Sequence, residues 1–389
     1  LYISDFRTRA HRDDILLSDT VVAHLEHADD IALCSTSAEG LQAKLNDLAV
    51  WASQNQMKVN LRKTAVMILR RPRTKISVAH SFHIYGEELR IVTEQPYVGI
   101  KFSSAPGNMW DAHFSACAAR ARRAANVTFF VESHTGALPP WEGRLLYSAQ
   151  VDPHLIWGCE VTGVGTTSQL SQLEDVQHTY LRRILGLQSR SQLCILFTET
   201  GLWPIKFRRI ALQLRYLCYT LALPPTHLAA IALRETMSAA SNGLGGWYSD
   251  LQRATQNIGI GLPVNPSLES VAALEPKLKT ALYVHLQGLV TASTKLDLLH
   301  GRSVFSSNII TKSPVMEFRA YLRVANRTHR QALTQLLLSD HCLAIEMLRR
   351  PSRSRSLLTP RVLRLCRFCL ADVEDPIHAL FVCTASQDL

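Results

Sequence analysis

Apolar and polar positions follow two rhythms in this chain, and the change between them divides it. Up to about residue 104 the apolar residues alternate with polar ones or come in short runs, the pattern of strands. Residues 21 to 35 set two apolar segments on either side of Asp29 and Asp30, which predicts a β-hairpin with acid at its tip. Thr36-Ser37-Ala38-Glu39 reads as a capping box, and Leu41, Leu45, Leu48 and Ala52 then recur at helical spacing. An amphipathic helix ending near Gln56 is expected. Residues 65 to 69 read as a strand, and residues 82–84 and 89–92 as a hairpin joined through Tyr85-Gly86-Glu87-Glu88. Residues 97 to 102 read as a further strand, in which Gly99 marks either a bulge or a close approach of another backbone.

Beyond a linker at residues 103 to 107 the alternation stops and helical periodicity takes over. Trp110, Phe114, Cys117, Ala121 and Ala125 line one face of a helix whose end gathers Arg120, Arg122 and Arg123. Those arginines either complement a helix C-terminus or contact nucleic-acid phosphate. Leu170, Leu173, Tyr180, Leu181, Ile184 and Leu185 mark another helix, which Gly186 stops in a left-handed cap. Residues 216 to 233 carry no charge, yet Pro224-Pro225 and His227 break them into two helical pieces, so no clean membrane span is read. Residues 235 to 340 read as helical, with a loop at 241–246. The expected fold class is α+β: hairpins and helices first, a mostly helical region next, and a small C-terminal module.

Composition narrows the functional classes. At 389 residues and 47% apolar the chain can bury one large core or several smaller ones, which excludes a disordered tail. A net charge of +10 favours a polyanionic partner, although most of the lysines and arginines are expected simply to solvate surface. The nine cysteines point to a reducing, intracellular setting, with Cys34, Cys117, Cys159, Cys194 and Cys218 as core thiols.

Two clusters carry chemistry. Adjacent carboxylates are unfavourable in a core, so Asp29 and Asp30 belong on an exposed turn, where they either meet water or hold a hard divalent cation such as Mg²⁺. Cys366, Cys369, His378 and Cys383 form a Cys-x2-Cys-x8-His-x4-Cys array. Thiolate and imidazole suit tetrahedral Zn²⁺, and four ligands leave no open position, so such a site would be structural; unrelated cysteines and histidine are the other reading. Arg349, Arg350, Arg353, Arg355, Arg361, Arg364 and Arg367 precede or enter it, as a phosphate-binding segment or a nuclear-import signal.

His27-Ala28-Asp29-Asp30 is similar to the aromatic-Ala-Asp-Asp signature of reverse transcriptases, with His27 standing where the family has Tyr or Phe. Residues 57 to 64, ending Val59-Asn60-Leu61-Arg62-Lys63-Thr64, resemble the Val-Asn-x-x-Lys-Thr segment of non-LTR (LINE-like) retrotransposon enzymes. Tyr97-Val98-Gly99-Ile100-Lys101-Phe102 resembles their primer-grip strand. The Tyr180 to Leu187 run, Arg190-Ser191, and residues 199–204 resemble the stretch after their thumb. Glu374-Asp375-x-x-His378-x-Leu380-x-x-Cys383 resembles their C-terminal zinc knuckle. The resemblance implies RNA-templated DNA synthesis with two Mg²⁺ ions on an RNA template and a DNA primer or target. Asp29 and Asp30 then act at the metals, Lys63 meets the triphosphate or protonates pyrophosphate, and Tyr97 and Gly99 touch the primer; a surface lysine is the other reading of Lys63.

It also implies four parts: a partial palm at 1–104, a thumb and connector at 105–235, a helical region at 236–348, and an Arg-rich segment with the zinc knuckle at 349–389. Leu1-Tyr2-Ile3-Ser4-Asp5-Phe6 resembles the helix after the family's template-binding segment. The chain is therefore expected to be a C-terminal part, with the fingers and the other catalytic Asp upstream, and to be catalytically incomplete alone. The expected localisation is nuclear and cytoplasmic, neither secreted nor membrane-spanning. The competing readings are a non-enzymatic RNA- or DNA-binding zinc protein and a decayed element product without selected function.

Overall fold

In the computed structural model, residues 3, 5–70, 80–306, 309–349 and 358–385 are described. The fold is mixed α+β, and its strands pair into two-stranded sheets, nearly all antiparallel hairpins. The chain gathers into two compact units, each built from separate stretches. The first comprises residues 1–117, 157–172 and 209–274; the second comprises 118–156, 173–208 and 275–389.

In the first unit, His24–His27 pairs with Asp30–Leu33, with His27 opposite Asp30, which is the expected hairpin with acid at its tip. Ala28 turns it at φ 54°. The helix spans Ala38–Gln54, and its cap lies one residue later than the sequence suggests. Ser37 Oγ accepts from the Gly40 N–H at 3.0 Å, which leaves Glu39 too early to close a box. Thr36 instead donates its hydroxyl to the Asp13 carbonyl at 3.0 Å. The helix's buried stripe packs with Phe6, Val66, Phe82, Ile84 and Leu89 into one core, flanked by Ile31, Leu33 and Trp51.

Two further segments differ from expectation, both through tight turns. The strand expected over 97–102 is a hairpin, Glu94–Tyr97 against Ile100–Ser103, turned by Val98 and Gly99 at φ 48° and 76°. Tyr85 and Gly86, at φ 54° and 78°, likewise turn His83–Ile84 onto Glu87–Glu88, and Arg90–Ile91 then leaves to pair in parallel with Ala65–Val66. Positive φ at both central residues is the type I′ geometry that matches strand twist, and glycine supplies it at the second position.

The helical part follows its periodicity more closely. The helix expected to end near its arginines runs on over Asp111–Thr135, so Arg120, Arg122 and Arg123 lie mid-helix and the C-terminal dipole reading does not hold. Thr167–Leu185 ends as expected at Gly186, φ 67°, with the Leu187 N–H bonded to the Arg182 carbonyl at 2.9 Å. Ile205–Leu221 and Leu228–Ser241 flank the two prolines. The 235–340 region holds an unexpected hairpin, Ser303–Ser306 against Ile309–Lys312, among its helices. Among the described residues no helix is long and apolar enough to cross a membrane, and all nine cysteines are outside disulfides.

Candidate functional site

The acidic hairpin is fixed from below by a buried lysine. Lys44 sits on the helix stripe between Leu41 and Leu48, 1% exposed. Its ammonium pairs with Asp14 Oδ1 at 2.6 Å and donates to the carbonyls of Ala23, at 3.1 Å, and Cys34, the residues at the open end of the hairpin. Burial pushes the Asp14 carboxyl up, but Lys44 and the His11 backbone N–H outweigh it and hold the carboxyl below the usual range. The hairpin therefore emerges from a charge-paired base and presents Asp29, Asp30 and His27 to solvent.

The Gly99 hairpin lies beside it. Tyr97 Oη donates to the Leu25 carbonyl at 3.3 Å, and burial, then Asp30, then Cys34 and Glu26 push its phenol pKa up. Trp157 Nε1 donates to the Gly99 carbonyl at 3.0 Å, and a Cβ on Gly99 would stand 2.9 Å from Trp157 Cζ2. Lys63 is exposed on a turn made by Asn60, whose side-chain oxygen accepts from the Arg62 and Lys63 N–H groups at 3.1 and 3.3 Å. No hydrogen bond or ion pair joins Lys63 to the acidic hairpin among the described residues. Nor does a third His, Cys, Asp or Glu converge on Asp29 and Asp30 there. Asp13 accepts from Ser37 Oγ at 2.5 Å, Asp14 holds Lys44, and Asp5 and Asp19 are exposed.

At the C-terminus the four expected ligands come together, with one donor atom of each within 4.8 Å of the others. Cys366 Sγ and Cys383 Sγ are 3.7 Å apart, and Cys369 Sγ lies 3.3 Å from His378 Nε2. A tetrahedron with metal–sulfur bonds of about 2.3 Å has sulfur–sulfur edges of about 3.8 Å, so the cluster is sized for Zn²⁺. Backbone N–H groups of Asp372 and Ala371, with smaller help from His378 and Cys366, hold the Cys369 thiol down to about 6, which favours the thiolate a metal needs. Asp375 Oδ1 accepts from the His378 N–H at 2.9 Å and starts the turn that carries the imidazole; Cys383 returns through its N–H to the His378 carbonyl at 2.8 Å.

The arginines beside this cluster divide by geometry. Arg367 bonds both carboxylate oxygens of buried Glu374, at 2.6 and 3.1 Å, and the Cys342 carbonyl at 2.7 Å. Arg364 donates to the carbonyls of Thr359 and Ile345, both at 3.0 Å, and Arg361 reaches Asp375 at 3.5 Å. Arg349 pairs with Glu346 at 3.2 Å. Arg361, Arg364 and Arg367 tie the zinc module together or to the 342–349 segment, whereas Arg349 is paired within that segment; Arg350, Arg353 and Arg355 lie outside the described residues. On the long helix Arg122 and Arg123 are exposed, and Arg120 with Arg123 lowers the His154 pKa after burial has done so.

Three residues that shape these sites are absent from the sequence reading: Lys44, Trp157 and, in its structural role, Glu374. Lys44 had a signal, since a lysine within the Leu41, Leu45, Leu48 stripe must bury its charge or tilt the helix. Trp157 had none, because its partner is 58 residues away. No family model, curated protein or solved structure matches the chain, so the sites rest on their own geometry.

Proposed function

We propose that the chain is a nucleic-acid-binding part of an RNA-directed DNA polymerase of the non-LTR retrotransposon kind. In this reading Asp29 and Asp30 take Mg²⁺, Tyr97 and Gly99 lie along the primer, and the zinc module is structural. The observation that carries it is the Tyr97 Oη to Leu25 carbonyl bond, which sets the Asp-Asp hairpin and the Gly99 hairpin, 72 residues apart in sequence, side by side. A polymerase needs that neighbourhood, because the metals must act on the primer's terminal hydroxyl.

Two-metal chemistry draws carboxylates from separate strands, with the ions about 3.5 to 4 Å apart, whereas Asp29 and Asp30 share one turn. The chain by itself therefore binds a primer–template without extending it. The test is photo-crosslinking of an RNA–DNA hybrid whose primer ends in 4-thiothymidine. Crosslinks within residues 94–103 that weaken in Tyr97→Ala support the reading, and crosslinks confined to the zinc module oppose it. That second outcome is what a non-enzymatic zinc protein would give, a reading favoured by the convergence of Cys366, Cys369, His378 and Cys383.

A further inference from the structure

In the second compact unit, two arginines from distant stretches meet on one pair of aromatic rings. Trp141 and Phe318 pack edge to face, ring centres 5.1 Å apart. The Arg323 guanidinium lies 4.2 Å from the Trp141 ring centre and 5.1 Å from that of Phe318. The Arg144 guanidinium lies 5.3 and 5.9 Å from the same two rings. Neither guanidinium has a hydrogen bond or ion pair among the described residues, and Arg144 Nε is closed off from solvent without a partner. The charge that acts on Arg144 is Arg323, of the same sign; burial first and Arg323 second lower the Arg144 pKa.

The frame beneath them is cross-linked by hydrogen bonds. Phe318 pairs with Thr200, and the Arg319 N–H bonds the Glu199 carbonyl at 3.1 Å. The Glu199 carboxylate, 1% exposed, is held by Arg302 at 3.0 Å and by Tyr321 Oη at 2.7 Å. Arg323 ends the short helix Ala320–Arg323 that follows, and Arg144 stands on Pro140–Leu146. The arrangement brings like charges together on a preset support, with guanidinium N–H groups unspent. Aromatic faces steady such cations while leaving their edges able to bind an oxyanion in two-pronged fashion.

We propose that Arg144 and Arg323, held on the Trp141–Phe318 pair, form an oxyanion site that takes a backbone phosphate of a nucleic-acid strand. The strand is favoured as the source of phosphate by the chain's net charge of +10. The site stands apart from the polymerase reading, since a non-catalytic nucleic-acid binder would use it equally. It also differs from Arg349, Arg361, Arg364 and Arg367, whose guanidinium groups are engaged with nearby carboxylates and carbonyls.

The test is fluorescence anisotropy of a labelled oligouridylate against the full chain over a range of salt, with inorganic phosphate as a second ligand. Arg144→Gln with Arg323→Gln should weaken oligonucleotide binding about tenfold, and the slope of log K against log[salt] should become shallower by about 0.7 for each phosphate no longer neutralised. Arg323→Lys, which keeps the charge and loses the planar stack, should fall between. Arg323 is exposed, so Arg323→Gln decides the matter should the double variant fail to fold. Unchanged affinity and slope in Arg323→Gln would overturn the site. Loss of inorganic phosphate binding with no change in oligonucleotide binding would overturn the assignment to a nucleic-acid strand.

Discussion

Lys44→Met removes a buried cation that holds the base of the acidic hairpin, and the structure sets the cost. The Lys44 side chain is 1% exposed and that of Asp14 5%, so their pair, at 2.6 Å, is dry. Deleting the ammonium leaves Asp14 with the His11 N–H at 3.0 Å and strips the Cys34 carbonyl of a donor, while the Ala23 carbonyl keeps the Cys34 N–H at 3.0 Å. Breaking a buried pair from one side costs about 3 to 5 kcal/mol. Because the chain has two compact units, a single unfolding midpoint is the wrong readout. Amide hydrogen exchange is local: the protected amides of residues 24–34 should exchange roughly a hundredfold to a few thousandfold faster in Lys44→Met, at about 1.4 kcal/mol per tenfold. Asp14→Leu with Lys44→Met removes both charges and should restore most of the protection. Acceleration below tenfold in the single variant would refute the pin. The same pair sets an acid limit. The folded Asp14 pKa lies below its unfolded value, so its contribution is complete above the unfolded pKa and is lost as pH falls through the folded one. Asp14→Asn should flatten that acid dependence.

Titration of the chain with Co²⁺ should give a thiolate charge-transfer band that Cys369→Ser weakens, and chelation should expose the amides of residues 358–385 to exchange; a chain indifferent to chelator contradicts the zinc assignment. Glu374→Ala removes the carboxylate that binds Arg367 and the Ala344 N–H, at 2.6 Å each, and should destabilise the zinc module by about 2 kcal/mol, read as faster exchange at residues 342–349. Gly99→Ala puts a Cβ at φ 76° and 2.9 Å from Trp157, so the Gly99 hairpin should lose about 2 kcal/mol, read from exchange at residues 94–103; no change would mean that the Trp157 ring swings clear.

The elements legible in the sequence were those with local causes. The acidic hairpin, the Gly186 stop, the break at Pro224-Pro225 and the zinc spacing each follow from residues a few positions apart. Positions 97 to 102 show where that fails: the apolar pattern runs unbroken through Val98-Gly99, and only φ tells a strand with a bulge from a hairpin turn. The arginines of the C-terminal module fail for another reason. Their run looks like a cationic surface until Glu374 and Asp375 fold back onto Arg367 and Arg361. The Arg144 and Arg323 pair was invisible, since nothing local links residues 141–144 to 318–323.

If Asp29, Asp30 and the Gly99 hairpin form one metal-bearing nucleic-acid site, as proposed above, Fe²⁺ in place of Mg²⁺ should bind there. With ascorbate and peroxide, bound Fe²⁺ cuts the backbone that surrounds it, and mass spectrometry locates the cuts. The expected result is paired cuts around residues 28–31 and 97–99, strengthened by an RNA–DNA primer–template and lost in Asp29→Ala with Asp30→Ala. Cuts near 28–31 without partners at 97–99, or cuts that persist in the double variant, would contradict it.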